Sequence, residues 1–229
     1  MEKIEHTTVH TNGINMHVAS IGTGPVVLFL HGFPKLCVIA PDLRGYGDKN
    51  VPPSASSYTM FHTVGDLVGL VGKLGIEQVF LVGHDWGAMV AWYFCMLIPD
   101  RVKALVNTSV AFHPRNPARK PVDGFMALFG DDHYICRFQK LLIMFNTPKA
   151  PCIPKKPGFT GLPDPSTLPS WLSEEDINYY AAKFTQKGFT GGLNYYRCMN
   201  LTWELAAPWT GVQIKVPVKF IVGDLVPCV

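Results

Sequence analysis

The sequence predicts a mostly parallel α/β sheet flanked by helices, with a helical segment inserted between strands of that sheet. Three observations carry this. Val26 to Leu30 is a continuous apolar run, the mark of a strand covered on both faces, and Gln78 to Val82 and Lys103 to Asn107 read as further strands. Helical periodicity alternates with them, which is the pattern of a parallel sheet with crossover helices. From Pro114 to Pro208 no segment reads as a good strand, yet Val216 to Val222 returns to a buried-strand pattern. The expected organisation is therefore a first core part over residues 1–113, a helical cap over 114–208, and a return to the core over 209–229.

Taken in order, Ile4 to His10 and Ile14 to Ser20 flank Asn12-Gly13, a dipeptide suited to a tight primed turn, so the chain opens on a hairpin. Gly22-Thr23-Gly24-Pro25 breaks the chain before the Val26 strand, and Cys37 to Ala40 is a second apolar run closed by Pro41-Asp42. Phe61, Val64, Leu67, Val68, Val71 and Leu74 follow the 3-4 spacing of an amphipathic helix, with Gly75 at the C-cap. A second helix runs from about Ala88 to Leu97 and stops before Pro99. In the insertion, Ser173-Glu174-Glu175-Asp176 starts a helix that reaches Gly188, and another holds Leu193, Tyr196 and Met199.

Composition narrows the function. Charged residues make up 16% of the 229 residues, against a typical ~25%, so the chain is unusually buried and not disordered. A net charge of +3 without a run of like charges argues against a nucleic-acid partner. No uninterrupted apolar run reaches the ~18 residues a membrane span needs. The N-terminus lacks a secretory pattern, and the cysteines at 37, 95, 136, 152, 198 and 228 stand alone. Free thiols in a reducing, cytoplasmic setting follow. Asp131-Asp132-His133 is not a metal site, because neighbouring carboxylates on a helix do not face one another. No metal and no cofactor are expected, and oligomeric state stays open.

The chemistry gathers in two motifs. Gly83-His84-Asp85-Trp86-Gly87 lies between a buried strand and a helix, the setting of a nucleophile elbow with Asp85 at its tip. A carboxylate there can attack a strained carbon and form an ester. The competing reading is that Asp85 merely caps the helix. The second motif, His31-Gly32-Phe33-Pro34, follows the Val26 strand, where a loop can supply one oxyanion-hole N–H while Trp86 supplies the other.

With Asp42-Leu43-Arg44-Gly45-Tyr46-Gly47 between them, these motifs resemble the soluble epoxide hydrolases of plants, a branch of the α/β-hydrolases. The resemblance implies an α/β-hydrolase fold and a hydrolase acting on ether bonds, which opens a small-molecule epoxide to a vicinal diol without a cofactor. It implies Asp85 as nucleophile, with Tyr134 and Tyr196 as cap tyrosines that bind the epoxide oxygen. The backbone N–H groups of Phe33 and Trp86 become the oxyanion hole, and His31, Pro34, His84 and His133 line the substrate pocket.

The chain departs from the family in several places. Only His31 to Leu36 joins two strands that the family separates by a helix, and Lys35 stands where the family has Glu. The cap is shortened after Gln139. Val226 occupies the orienting acid's position, with Asp224 two residues earlier as a substitute, and no histidine follows His133. The expectation is an incomplete core and impaired hydrolysis, from truncation, alternative splicing or a faulty gene model. A haloalkane-dehalogenase-like hydrolase and a non-catalytic relic or binding protein are the alternatives.

Overall fold

The computed structural model describes residues 3–31, 39–46, 51–131, 133–139 and 172–223. Asn12 and Gly13, at φ 47° and 76°, make the two-residue turn joining β1 (Glu5–Thr11) to β2 (Ile14–Ser20). Such positive φ values give the turn a twist that matches the strands it connects. The sheet continues with β3 (Val27–His31), β4 (Ile39–Pro41), β5 (Val79–His84), β6 (Val102–Thr108) and β7 (Val218–Ile221), in the spatial order β1-β2-β4-β3-β5-β6-β7. β1–β2 and β2–β4 are antiparallel, and every pairing from β4 to β7 is parallel. The short connection expected between His31 and Leu36 falls, after His31, outside the described residues.

Two helices cover the central strands. α1 (Met60–Lys73) buries Met60, Thr63, Val64, Leu67, Leu70 and Val71. The buried stripe is rotated slightly from the expected one: Phe61 and Val68 are half-buried, and Leu74, 41% exposed, caps the C-terminus ahead of Gly75 at φ 68°. α2 (Trp86–Leu97) begins two residues earlier than its sequence pattern suggested. It is apolar almost all round because it packs on β3, β5 and β6 on one side and on α1 on the other.

Among the described residues five α-helices follow β6 and precede β7: α3 (Pro121–Phe129), α4 (Tyr134–Phe138), α5 (Glu174–Lys187), α6 (Thr190–Arg197) and α7 (Met199–Leu205). The Ser173 start of α5 is a reciprocal capping box, in which Ser173 Oγ accepts from the Asp176 N–H at 3.1 Å and Asp176 Oδ2 from the Ser173 N–H at 3.0 Å. The helix expected through Leu193, Tyr196 and Met199 is two helices, split at Cys198 (φ −90°, ψ 4°). The buried Cys198 Sγ contacts the carbonyl oxygens of Tyr58 at 3.0 Å and Tyr195 at 3.3 Å.

The last strand overturns an expectation. Val218, Phe220 and Ile221 of β7 are 41%, 37% and 47% exposed, not buried. An apolar run forms a strand, but cover depends on what packs against it, and β7 is the edge of the sheet.

The insertion meets the core at two glycines. Gly45 has φ 82°, and a Cβ on Gly191, in the first turn of α6, would sit 2.8 Å from the Gly45 carbonyl carbon and closer still to its oxygen. Backbone touches backbone here, so no side chain can yield. Gly191→Ala is expected to push α6 off the core and cost about 1–3 kcal/mol. Thermal melting measures it, and an unchanged midpoint would refute the close contact.

Candidate active site

β5 ends at His84 and α2 begins at Trp86, so Asp85 alone makes the strand-to-helix turn, at φ 53° and ψ −129°. Non-glycine residues avoid this region at a cost of about 1–3 kcal/mol, and such strain gathers at functional sites. The Asp85 side chain makes no capping hydrogen bond to α2. That decides against the capping reading: the carboxylate is held on the turn without serving the helix.

The elbow is tight enough to dictate its neighbours. A Cβ on Gly83 would lie 2.8 Å from Ala88 Cα and would collide with the Asn107 side chain. β6 braces the turn: the buried Asn107 donates from Nδ2 to the Ala88 carbonyl at 3.0 Å, and Thr108 donates from Oγ1 to the Gly83 carbonyl at 3.1 Å. Sequence reading saw Asn107 only as the end of a strand. A polar residue closing the apolar run Ala104 to Val106 was the available signal.

A cavity of about 620 Å³ opens over the elbow, and Asp85, Trp86, His133, Tyr134 and Tyr196 all line it. Tyr196 stands edge-on to the Trp86 indole with centroids 4.8 Å apart, and the Tyr134 ring is 6.0 Å from the Tyr196 ring. His133 is stacked on Phe125 and Phe129 at 5.4 and 4.9 Å. Burial lowers its pKa, which favours the neutral ring.

Both phenols are held protonated. Burial and then the charges of Asp85 and Tyr134 push Tyr196 up to about 12, with a Trp86 hydrogen bond pulling the other way. Burial and the Asp85 charge raise Tyr134 as well. A phenol that senses the carboxylate's charge shares its site, and one that stays protonated can donate a proton.

Other expected positions fall elsewhere. His84 is exposed and does not line the cavity: Leu81 and Gly83 take the buried face of β5 and the alternation turns His84 away. His31 closes β3, in register with His84. Phe33, Pro34 and Asp224 lie outside the described residues. Trp86 is the first residue of α2, so its N–H has no acceptor within the helix. Among the described residues no group of three or more His, Cys, Asp or Glu could hold a metal, and no helix is long and apolar enough to cross a membrane.

A parallel sheet with an acidic residue on a strained strand-to-helix turn beneath inserted helices defines an α/β-hydrolase, and residues 25–132 match the family model described as the alpha/beta hydrolase fold. Epoxide hydrolase 2 of Siraitia grosvenorii is 60% identical over 259 aligned positions, covering 98% of this chain and 82% of that protein. Epoxide hydrolase A of Mycobacterium tuberculosis is 36% identical over 96% of this chain and 81% of its own. The crystal structure of an epoxide hydrolase from Vigna radiata superposes with a TM-score of 0.84 at 52% identity, covering 96% of this chain and 80% of that one. The chain belongs to the epoxide hydrolases. The 259 aligned positions outnumber its 229 residues, so the Siraitia protein carries residues within the aligned span that this chain lacks.

Proposed function

We propose that this chain opens small-molecule epoxides through an ester on Asp85. A carboxylate oxygen of Asp85 bonds to a ring carbon, the C–O bond breaks, and the ring oxygen takes a proton from Tyr196 or Tyr134. The observation that carries this is the meeting of an uncapped carboxylate and two protonated phenols in one cavity. Water then adds at the ester carbonyl and its proton returns to the tyrosinate left by ring opening. The N–H groups of Trp86 and Phe33 receive the oxyanion, and collapse passes the remaining acid proton to the departing alkoxide, which releases the diol and restores the Asp85 carboxylate.

Activating that water is the weaker half. Among the described residues, His113 and His133 are the histidines of the cavity wall; His113 is exposed and His133 is held in its aromatic stack. A general base supplies about 10²–10⁴-fold, so ester formation is expected to outrun its hydrolysis. Asp224 as an orienting acid belongs to the same reading. The solitary cysteines favour a cytoplasmic setting. Paired phenols, rather than a halide-binding group, favour an epoxide over a haloalkane.

The test is intact mass spectrometry after mixing with styrene oxide. One substrate-sized increment should appear as a burst, followed by slow diol release. Tyr134→Phe with Tyr196→Phe should slow the burst by about 10²–10⁴-fold, the share of a positioned acid. A burst of unchanged rate in the double variant would remove the phenols from the mechanism.

A further inference from the structure

We propose that Tyr195 is a positioning residue: hydrogen-bonded to the main chain of Arg44, it fixes the rotation of α6 and so aims the Tyr196 phenol at the epoxide oxygen. This rests on the reading of Tyr196 as a proton donor in ring opening.

Tyr195 is fully buried, and its Oη donates to the Arg44 carbonyl oxygen at 2.8 Å. That carbonyl belongs to an immobilised residue. The Arg44 guanidinium, 6% exposed, donates from Nε to Asp66 Oδ2 at 2.8 Å and from Nη2 to Asp66 Oδ1 at 2.5 Å. Asn12 Nδ2, in the hairpin turn, donates to the same Oδ1 at 2.8 Å. An unbroken chain of contacts thus runs from the hairpin through α1 to the Arg44 loop and ends on α6. The Gly45–Gly191 contact lies beside it and removes the clearance that would let α6 slide.

Successive residues of a helix point roughly 100° apart, so fixing the direction of Tyr195 fixes that of Tyr196. Both rings also pack on the indole that follows the nucleophile, Tyr195 at 5.5 Å and Tyr196 at 4.8 Å. Hydrogen bonding to a developing alkoxide weakens steeply with misalignment, so a small rotation of α6 costs rate without emptying the cavity. Two further ring contacts hold Tyr195, on Tyr58 and Tyr46, and a Phe at this position keeps the ring while deleting only the hydroxyl.

The experiment is a double-mutant cycle on the full chain with Tyr195→Phe, Tyr196→Phe and both together. One readout is the saturating rate of ester formation from styrene oxide, and the other is the affinity for N-cyclohexylacetamide, an unreactive probe whose carbonyl oxygen takes the place of the epoxide oxygen. Tyr195→Phe should slow ester formation about tenfold, part of the 10²–10⁴ a whole acid supplies, with the half-saturating concentration unchanged. It should weaken amide binding about fivefold, and both losses should vanish in the Tyr196→Phe background. A full effect of Tyr195→Phe in that background, or no effect in either, overturns the proposal. If no ester forms on the parent chain while the amide cycle still couples the two tyrosines, the ring-opening reading falls and the positioning role stands. Should Tyr195→Phe fail to fold, Gly191→Ala, which shifts α6 without touching either phenol, replaces it in the same cycle with the same outcomes deciding.

Discussion

Asp85→Asn is expected to abolish the styrene oxide adduct, lowering the rate of ester formation by about four orders of magnitude or more. An amide has no anionic oxygen to form the ester, and among the described residues no other carboxylate lines the cavity. Asparagine tolerates positive φ about as well as aspartate, so the turn at φ 53° should survive and the loss will not be one of folding. The same variant makes a second, independent measurement possible. The Asp85 charge disfavours a phenolate nearby and so contributes to the raised pKa values of Tyr196 and Tyr134. Removing the charge should move the Tyr196 ionisation down from about 12, read as the high-pH absorbance change missing from Tyr196→Phe. Adduct formation by Asp85→Asn would mean a different nucleophile, and an unmoved phenol titration would mean that carboxylate and phenol are not neighbours.

The largest stability effect is expected at Asp66. It is fully buried and pairs through both oxygens with Arg44. Asp66→Ala leaves a guanidinium buried without its partner, which costs about 3–5 kcal/mol from the ~5–15 that a domain has. For a chain of this size the melting midpoint should fall by roughly 10 °C. Burial pushes the Asp66 carboxyl up even though Arg44 and Asn12 pull it down, so the desolvation of the charge is not fully offset. Removing both charges together, as Arg44→Met with Asp66→Leu, should therefore be milder than removing one. A single variant that melts with the parent would show that the pair contributes nothing.

Much of the site was legible in the residues. Glycines on both sides of Asp85 meant a turn too tight for side chains, and the Gly83 contacts with Ala88 and Asn107 are the physical form of that requirement. Tyr134 and Tyr196 could be singled out from eight tyrosines only through the motifs around them, since nothing local distinguishes a phenol that lines a cavity from one that packs a core. Tyr195 shows the difficulty: it neighbours Tyr196 in sequence, yet one is buried against Arg44 and the other lines the cavity. His84 was misplaced for a related reason, because a one-residue step along a strand reverses the direction of the side chain.

The sequence by itself determined the local elements: the Asn12-Gly13 hairpin, the strand and helix that bracket Asp85, the capping box at Ser173, and the parallel character of the central sheet. Each follows from interactions within a few residues or from a periodicity that a short window contains. Only the tertiary structure decided that Asp85 leaves α2 uncapped, that Asn107 and Thr108 brace the elbow, that Arg44 joins Asp66 to Tyr195, and that β7 stays exposed at the sheet edge. Those facts join residues from 19 to 151 positions apart, or depend on what covers a surface, and no pattern along the chain encodes either.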